Sequence, residues 1–377
     1  MLRYGVCGCG LMGLEHIRNI GAMKNSGLDV AVTALSDPEE SSLSEALKVC
    51  ESLKFDPVAV KSVFDLLVHG SETVVDVVIV ASPNHTHCQV LLDIFSISST
   101  VHVLVEKPLC TTVEDCMRVI ECAQGRAGLI WVGLEYRFMP PVARLIEEAH
   151  SGRIGRIHQM FIREHRFPFL RKVGDWNRFN RNSGGTLVEK CCHFFDLFNL
   201  VNHQAIPQRF CGSGGQSLNH LDEIYDGERS DIMDNAFVLI DYSNGVRACL
   251  DLCMFADATR SQEELSVVGE NGKLEALLPQ SELRIGLRGT HWIGDVETIQ
   301  VKDDAAYTGH HFGASYRENL AFYQHITKQS CPNSPIISLH RGLLSVAMGI
   351  AAHRAIEQQR WVFLSEVLPE QYHESKP

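Results

Sequence analysis

Three residues could carry acid–base and hydride chemistry. Lys107 sits in Glu106-Lys107-Pro108, at the end of the apolar run Val101 to Val105, and Glu189 and His193 lie well downstream, four apart. A lysine at the carboxyl end of a buried strand stands where open parallel sheets bind their ligands. The four-residue spacing predicts that Glu189 and His193 share one helix face. A carboxylate beside an imidazole fixes its tautomer and stabilises the imidazolium formed on protonation. Oxidising an alcohol needs a base, a hydride acceptor and a cation for the developing alkoxide. His193 is the expected base and Lys107 the expected cation. Glu189 either orients His193 or reaches substrate hydroxyls. Packing alone could also explain His193, on a face with Phe194, Leu197 and Leu200, and a surface ion pair could explain Lys107.

The hydride acceptor is suggested by Gly8-Cys9-Gly10-Leu11-Met12-Gly13, which follows a strand-like run and opens a helix. In such a fingerprint the first glycine permits the turn, the second lets a pyrophosphate approach the backbone, and the third allows close helix–strand packing. The phosphates would rest at the helix amino end. Asp37 ends the second strand-like run, where a carboxylate can hold both ribose hydroxyls of NAD and repel the extra phosphate of NADP. Pro38, Glu39 and Glu40 follow it, without a local arginine, so NAD is favoured and NADP kept as the alternative. Asp37 could instead cap a helix beginning at Pro38. Ser82, Pro83 and Asn84 follow another strand, with Asn84 and His87 facing the ribose or nicotinamide, or Asn84 acting as a cap. Glu106 is expected to support the cofactor pocket or the turn.

These positions require a parallel sheet. Strand-like runs occur at Tyr4 to Cys7, Val30 to Leu35, Val74 to Ala81, Val101 to Val105 and Leu129 to Leu134, with helical stretches such as His16 to Met23 and Val90 to Phe95 between them. Continuous apolar strands alternating with helices predict an α/β fold with a doubly wound parallel sheet over residues 1–135. Residues 136–377 read as an α+β domain with an open-faced, mainly antiparallel sheet for substrate binding and oligomerisation. Its signs are a strand at Ile157 to His165, a helix opening at Gly184-Gly185, and closing helices around Tyr316 to Thr327 and His340 to Gln359. Asn244-Gly245 and Asn271-Gly272 predict hairpins with primed turns. Gly212 to Asp234 reads as a long loop.

The 377 residues carry a net charge of −12. That balance argues against nucleic acid or an anionic membrane as partner. Thirteen cysteines, odd in number and without a CxxC pair, read as reduced thiols and not as disulfides or a metal site. With no signal peptide or membrane span in sight, the cytosol is the expected compartment.

The order of motifs carries a resemblance. The glycine fingerprint, Ser82-Pro83-Asn84, Glu106-Lys107-Pro108, Tyr136-Arg137-Phe138, Gly152-Arg153-Ile154-Gly155, Gly184-Gly185 and the final Arg360-Trp361-Val362 span nearly the whole chain. Together they resemble the glucose–fructose oxidoreductase, inositol dehydrogenase and rhizopine catabolism (Gfo/Idh/MocA) family. The resemblance implies a Rossmann domain joined to an open-faced sheet, with a sugar, cyclitol or related diol oxidised or formed between them. It assigns Lys107 to the reacting oxygen and Glu189 and His193 to the remaining catalytic positions. Glu189 departs from the family's aspartate by one methylene. Lys190 reads as an ordinary charged neighbour on another face. Tyr136, Arg163, His165, Trp176 and Asn177 are the expected substrate contacts, and His310-His311 either approaches the site or forms an exposed turn. An open sheet face predicts a homodimer or homotetramer. An NAD-retaining hydrolase or lyase, or a non-catalytic NAD-binding protein, are the alternative functions.

Overall fold

A computed structural model describes residues 1–69, 72–73, 75–289, 296–329 and 336–373. Val74, the start of one expected strand, lies outside the described residues. Six parallel strands form the first sheet: β1 (Leu2–Cys7), β2 (Val30–Ser36), β3 (Val58–Val60), β4 (Val77–Val80), β5 (His102–Glu106) and β6 (Ile130–Gly133). Their order is 3-2-1-4-5-6. The order reverses between β1 and β4, and ligands of open sheets bind in the crevice outside the carboxyl ends at such a point. Helices cover both faces, so β4 is buried along its whole length and its sequence is unbroken Val77-Val78-Ile79-Val80. α1 (Leu11–Asn25) packs against α2 (Glu40–Ser52), while α3 (His87–Ile97) packs against α4 (Val113–Cys122).

The second sheet is mixed. It contains β7 (Ile157–His165), β8 (Pro207–Gly215), β9 (Asn235–Tyr242), β10 (Arg247–Cys253), β11 (Glu263–Gly269), β12 (Gly272–Leu278), β13 (Glu282–Leu287), β14 (Glu297–Gln300) and β15 (Val362–Phe363). The order is 14-13-12-11-7-10-9-8-15, with β7 parallel to β10 and the other neighbours antiparallel. Side chains alternate across it: Ala236, Val238 and Ile240 are buried while Phe237 and Leu239 are exposed. α5 (Pro140–His150), α6 (Thr186–Glu189), α7 (Cys192–Val201), α8 (Ala314–Ile326) and α9 (Leu339–Gln358) follow, with two further short helices at Val63–Leu67 and Asn180–Ser183. The closing helices return to the first sheet's layer, α8 against α1 and α9 against α4. Gly342 brings α9 close to that layer: a Cβ there would lie 3.0–3.2 Å from Leu109 and Val132.

Three local expectations change. The hairpins β9–β10 and β11–β12 form, but neither turn is primed. At the first, only Gly245 takes positive φ, +84°, and its N–H donates to Tyr242 O at 3.0 Å. A three-residue loop with glycine in the left-handed position results. At the second, Glu270 and Asn271 donate backbone N–H groups to Arg156 O and Ile154 O at 3.0 and 2.8 Å, so the preceding chain and not a primed turn sets its shape. Lastly, the expected loop from Gly212 to Asp234 starts later, since β8 runs to Gly215 and Ile224–Tyr225 pairs with Glu228–Arg229.

The segment after β6 is held to α7 by charge. Arg137 donates to both carboxylate oxygens of Asp196, with Nε at 3.0 Å from Oδ2, and the two side chains are 5% and 2% exposed. Removing one partner of such a pair leaves the other charge buried and uncompensated. Asp196→Ala is therefore expected to lower unfolding stability by about 3–5 kcal/mol in urea titrations. A loss below about 1 kcal/mol would mean the pair holds nothing in place.

Candidate active site

The crevice at the carboxyl ends of β1, β4 and β5 has a glycine floor. Gly8 has φ +93°, and a Cβ there would meet Ser82 N at 2.4 Å. A Cβ on Gly13 would lie 2.0 Å from Gly8 O, so the turn and α1 touch backbone to backbone. At Gly10 a Cβ would meet nothing within 4 Å, and no side chain caps the start of α1. Open space above uncapped helical N–H groups fits a dinucleotide pyrophosphate. Cys9 is buried within the loop, while Leu11 is exposed and Met12 half-buried at its rim. Asp37 braces the loop: Oδ2 accepts from Cys9 N at 2.6 Å and Oδ1 from Glu39 N at 2.8 Å. Glu39, not Asp37, is the residue before α2. Each Asp37 oxygen retains acceptor capacity for a ribose hydroxyl.

The next two loops are tied together. Ser82 Oγ lies 2.7 Å from Thr86 Oγ1, and Pro83 leads into the short turn Asn84–Thr86. Asn84 caps no helix; its Nδ2 donates to Ser183 O at 3.2 Å, joining the two halves of the molecule. His87 is fully buried, with Nδ1 2.9 Å from Pro108 O and Nε2 2.9 Å from Ser82 O. Burial holds its pKa below the ordinary value, and the ring acts as a brace between the two loops.

Glu106 is buried and lies 2.7 Å from His16 Nε2 on α1. Burial opposes both charges, yet the pair's mutual attraction prevails: the Glu106 pKa is lowered and that of His16 raised. The following peptide, Lys107–Pro108, is cis. Lys107 Nζ lies 3.4 Å from the carbonyl oxygen of Glu189. Burial pulls its pKa down most, but Cys192, Glu135, Glu106 and Glu189 together leave it above the usual value.

His193 is buried on α7, its ring stacked on Tyr136 at 4.0 Å and 12°. Burial first, then Lys107, Lys190 and His311, push its pKa well below the ordinary value, so the ring is neutral and able to accept a proton. Its nearest acid is not Glu189. Nε2 lies 3.7 Å from Glu135 Oε1, and Nδ1 has no hydrogen-bond partner among the described residues. The expected shared helix face is interrupted, because α6 ends at Glu189 and α7 begins at Cys192 with a turn between them. Glu189 instead pairs with Lys172, Oε1 to Nζ at 3.4 Å, and its Oε2 has no hydrogen-bond partner among the described residues.

That turn buries Lys190, contrary to its reading as an ordinary neighbour. Its Nζ lies 2.9 Å from Glu164 Oε1, bonds the Tyr136 hydroxyl, and sits 4.6 Å from the centre of the Tyr136 ring. Burial lowers its pKa, Glu164 opposing. Among the expected substrate contacts, Tyr136 and Trp176 lie at the site; Lys172 Nζ is 4.4 Å from the Trp176 ring centre. Asn177 is buried and donates to Leu170 O at 3.1 Å, holding the loop. Arg163 and His165 point elsewhere. They occupy the outer face of β7 and bind Asp251 at 3.0 and 3.1 Å. The alternation that turns them outward turns Glu164 inward. Glu135, Glu164 and Lys190 were not anticipated at the site, whereas Lys172 belongs to the cation-rich loop expected near a polyhydroxylated ligand. A charged residue in an apolar setting marks the first two: Glu135 after Val132-Gly133-Leu134, and Glu164 in register with Met160 and Ile162. His311 does approach the site, with Nδ1 3.6 Å from Glu135 Oε1.

Comparison with known proteins agrees with the fold. Residues 2–134 match the model of the Gfo/Idh/MocA oxidoreductase family's NAD-binding Rossmann fold, and residues 146–364 match its C-terminal alpha/beta domain. Myo-inositol 2-dehydrogenase of Thermotoga maritima is 26% identical over 97% of this chain and 100% of its own. The 2,7-anhydro-N-acetylneuraminate hydratase of Escherichia coli is 24% identical, covering 98% of both chains. The fold is that of levoglucosan dehydrogenase in complex with NADH, with a TM-score of 0.78, 17% identity, and 96% and 99% of the two chains covered.

The two glycines separate binding from folding. Gly10→Ala should leave unfolding stability within about 0.5 kcal/mol and weaken NAD at least about tenfold by calorimetry. Gly13→Ala should cost about 1–3 kcal/mol of stability. Equal effects of the two substitutions on NAD and stability would contradict the assignment of the crevice.

Proposed function

This chain belongs to the Gfo/Idh/MocA oxidoreductase family, and from that premise we propose that it oxidises a secondary alcohol of a sugar, cyclitol or related diol with NAD. The observation that carries the proposal is geometric: Lys107, with Nζ 3.4 Å from Glu189 O, and the buried imidazole of His193 stand together at the switch-point crevice. Bound NAD would supply the hydride acceptor. His193 takes the hydroxyl proton, and Lys107 stabilises the negative charge that develops on the oxygen. Tyr136 fixes the plane of the His193 ring by stacking. Glu189, Lys172 and Trp176 face the substrate's remaining hydroxyls, with Glu189 as an acceptor and no longer as the partner of His193. Asp37, followed by Glu39 and Glu40 without a local cation, favours NAD over NADP. Residues 1–135 serve as the nucleotide domain, and the remainder supplies substrate contacts. The exposed Phe237 and Leu239 favour a homodimer or homotetramer through the open sheet face.

The hydratase relative favours a second reading, in which NAD stays bound and is reduced and reoxidised within one turnover. The two are separated by screening sugars, inositols and diols with NAD. Net growth of reduced-nicotinamide absorbance supports the dehydrogenase, and substrate loss without it supports the second reading. Lys107→Ala should lower kcat by about 10²–10³-fold while NAD affinity stays within about twofold. Unchanged turnover would overturn the role of Lys107.

A further inference from the structure

Glu135 is a buried acid with no close partner on its carboxylate oxygens among the described residues. Its side chain is 2% exposed, and neither carboxyl oxygen has a hydrogen-bond partner among the described residues. A buried polar group in that state is costly and calls for a functional explanation. Its Oε1 lies between two imidazoles, 3.7 Å from His193 Nε2 and 3.6 Å from His311 Nδ1. Exposure rises along this line, from 1% for the His193 side chain to 21% for that of His311.

The segment bearing His311 is fixed over the cofactor helix. Glu15 of α1, fully buried, accepts from His310 N at 3.2 Å and from the Tyr307 hydroxyl at 3.2 Å. Gly309 permits this contact, because a Cβ there would lie 1.7 Å from Glu15 Oε1. Phe312 and Gly313 follow in left-handed conformations, φ +50° and +76°. His311 thus holds one place at the rim of the site.

We propose that Glu135 and His311 form a proton exit, carrying to solvent the proton that His193 takes from the substrate. The proposal rests on the dehydrogenase reading. Alcohol oxidation transfers two electrons and one hydrogen as hydride to the nicotinamide and leaves one proton to be removed. The alcohol O–H bond breaks as His193 is protonated. His193 then gives a proton from Nε2 to the Glu135 carboxylate. Glu135 passes it to His311 Nδ1 as the same ring gives one from Nε2 to water, so the imidazole stays neutral and the carboxylate is restored. Gaps of this size close when substrate tightens the site or one water enters.

The charge state of Glu135 suits the role. Burial, with Glu106 adding, raises its pKa to about 8, with Lys107 and Lys190 opposing. The titratable groups facing it are Glu106 at the end of β5, Lys107 after it, Tyr136 beside it in the chain, Lys190 before α7, Cys192 and His193 on α7, His311 at the rim and Glu318 on α8. The acceptor form of Glu135 gains population as pH rises, so alcohol oxidation should accelerate through pH of about 8.

Glu135 is therefore a positioning and relay residue, and its test needs more than lost turnover. Infrared difference titration of the NAD-loaded protein should show a protonated carboxyl that disappears near pH 8 and is missing in Glu135→Gln. In that variant kcat should fall about a hundredfold and lose its rise with pH, with partial recovery in Glu135→Asp. His311→Ala should slow oxidation about tenfold and recover with added imidazole buffer, as a proton-transfer defect does and a packing defect does not. A wild type that turns over, paired with a Glu135→Gln variant within about threefold of it, overturns the relay alone. A wild type that reduces no NAD with any polyol overturns the dehydrogenase reading and the relay with it, whereas the titrating carboxyl in the same samples shows whether the protein is intact.

Discussion

Everything at the centre of this molecule depends on keeping the half-buried Lys107 ammonium charged at the crevice. An ammonium partly withdrawn from water loses solvation unless acids stand near it. Here Glu106 comes from its own strand, Glu135 from the segment after β6, and Glu189 from the second half of the chain. The same acids cannot all be charged at that density. Glu135 yields, its pKa pushed to about 8, while Glu106 keeps its charge against His16. The cation and the neutral base His193 are two sides of one balance, since Lys107 is among the charges that hold the imidazole neutral.

The balance needs both halves of the chain. Asn84 reaches across to Ser183, Arg137 grips Asp196, and α8 and α9 pack back on the helices of the first sheet. Lys190 and Glu164 form a second buried pair behind Tyr136, so the aromatic ring against which His193 rests is itself fixed by charge. Buried pairs of this kind specify one arrangement more than they add stability, because desolvation offsets most of their attraction. Family relatives include both a dehydrogenase and a hydratase, so the shared framework permits more than one outcome from similar parts.

The first sheet was legible in the sequence because its strands are buried on both faces, which leaves uninterrupted runs such as Val77-Val78-Ile79-Val80. The glycine loop was legible for a similar reason: Gly8 and Gly13 touch backbone, and few other residues could. The site was legible only in part. Lys107 and His193 carry their own signals, but the partner of His193 depends on a break at Lys190 and Cys191 that four-residue spacing does not reveal. Arg163 and His165 drew attention as charged residues in a strand. Period-two counting from Met160 and Ile162 turns them outward and Glu164 inward, so that local signal was present and was outweighed by composition. His311 is different: its place depends on Glu15, almost three hundred residues earlier, and only the folded chain brings them together.

The central claim is that the seam holds Lys107 charged and His193 neutral at the same time. Side-chain NMR titration of the NAD-loaded protein, with labelled lysine and histidine assigned through Lys107→Arg and His193→Gln, reads both states directly. At pH 6.5 the His193 ring should give the neutral signature, and at pH 10.5 Lys107 should remain mostly protonated. A His193 ring at least half protonated at pH 6.5, or a Lys107 amine largely neutral below pH 10.5, would contradict it.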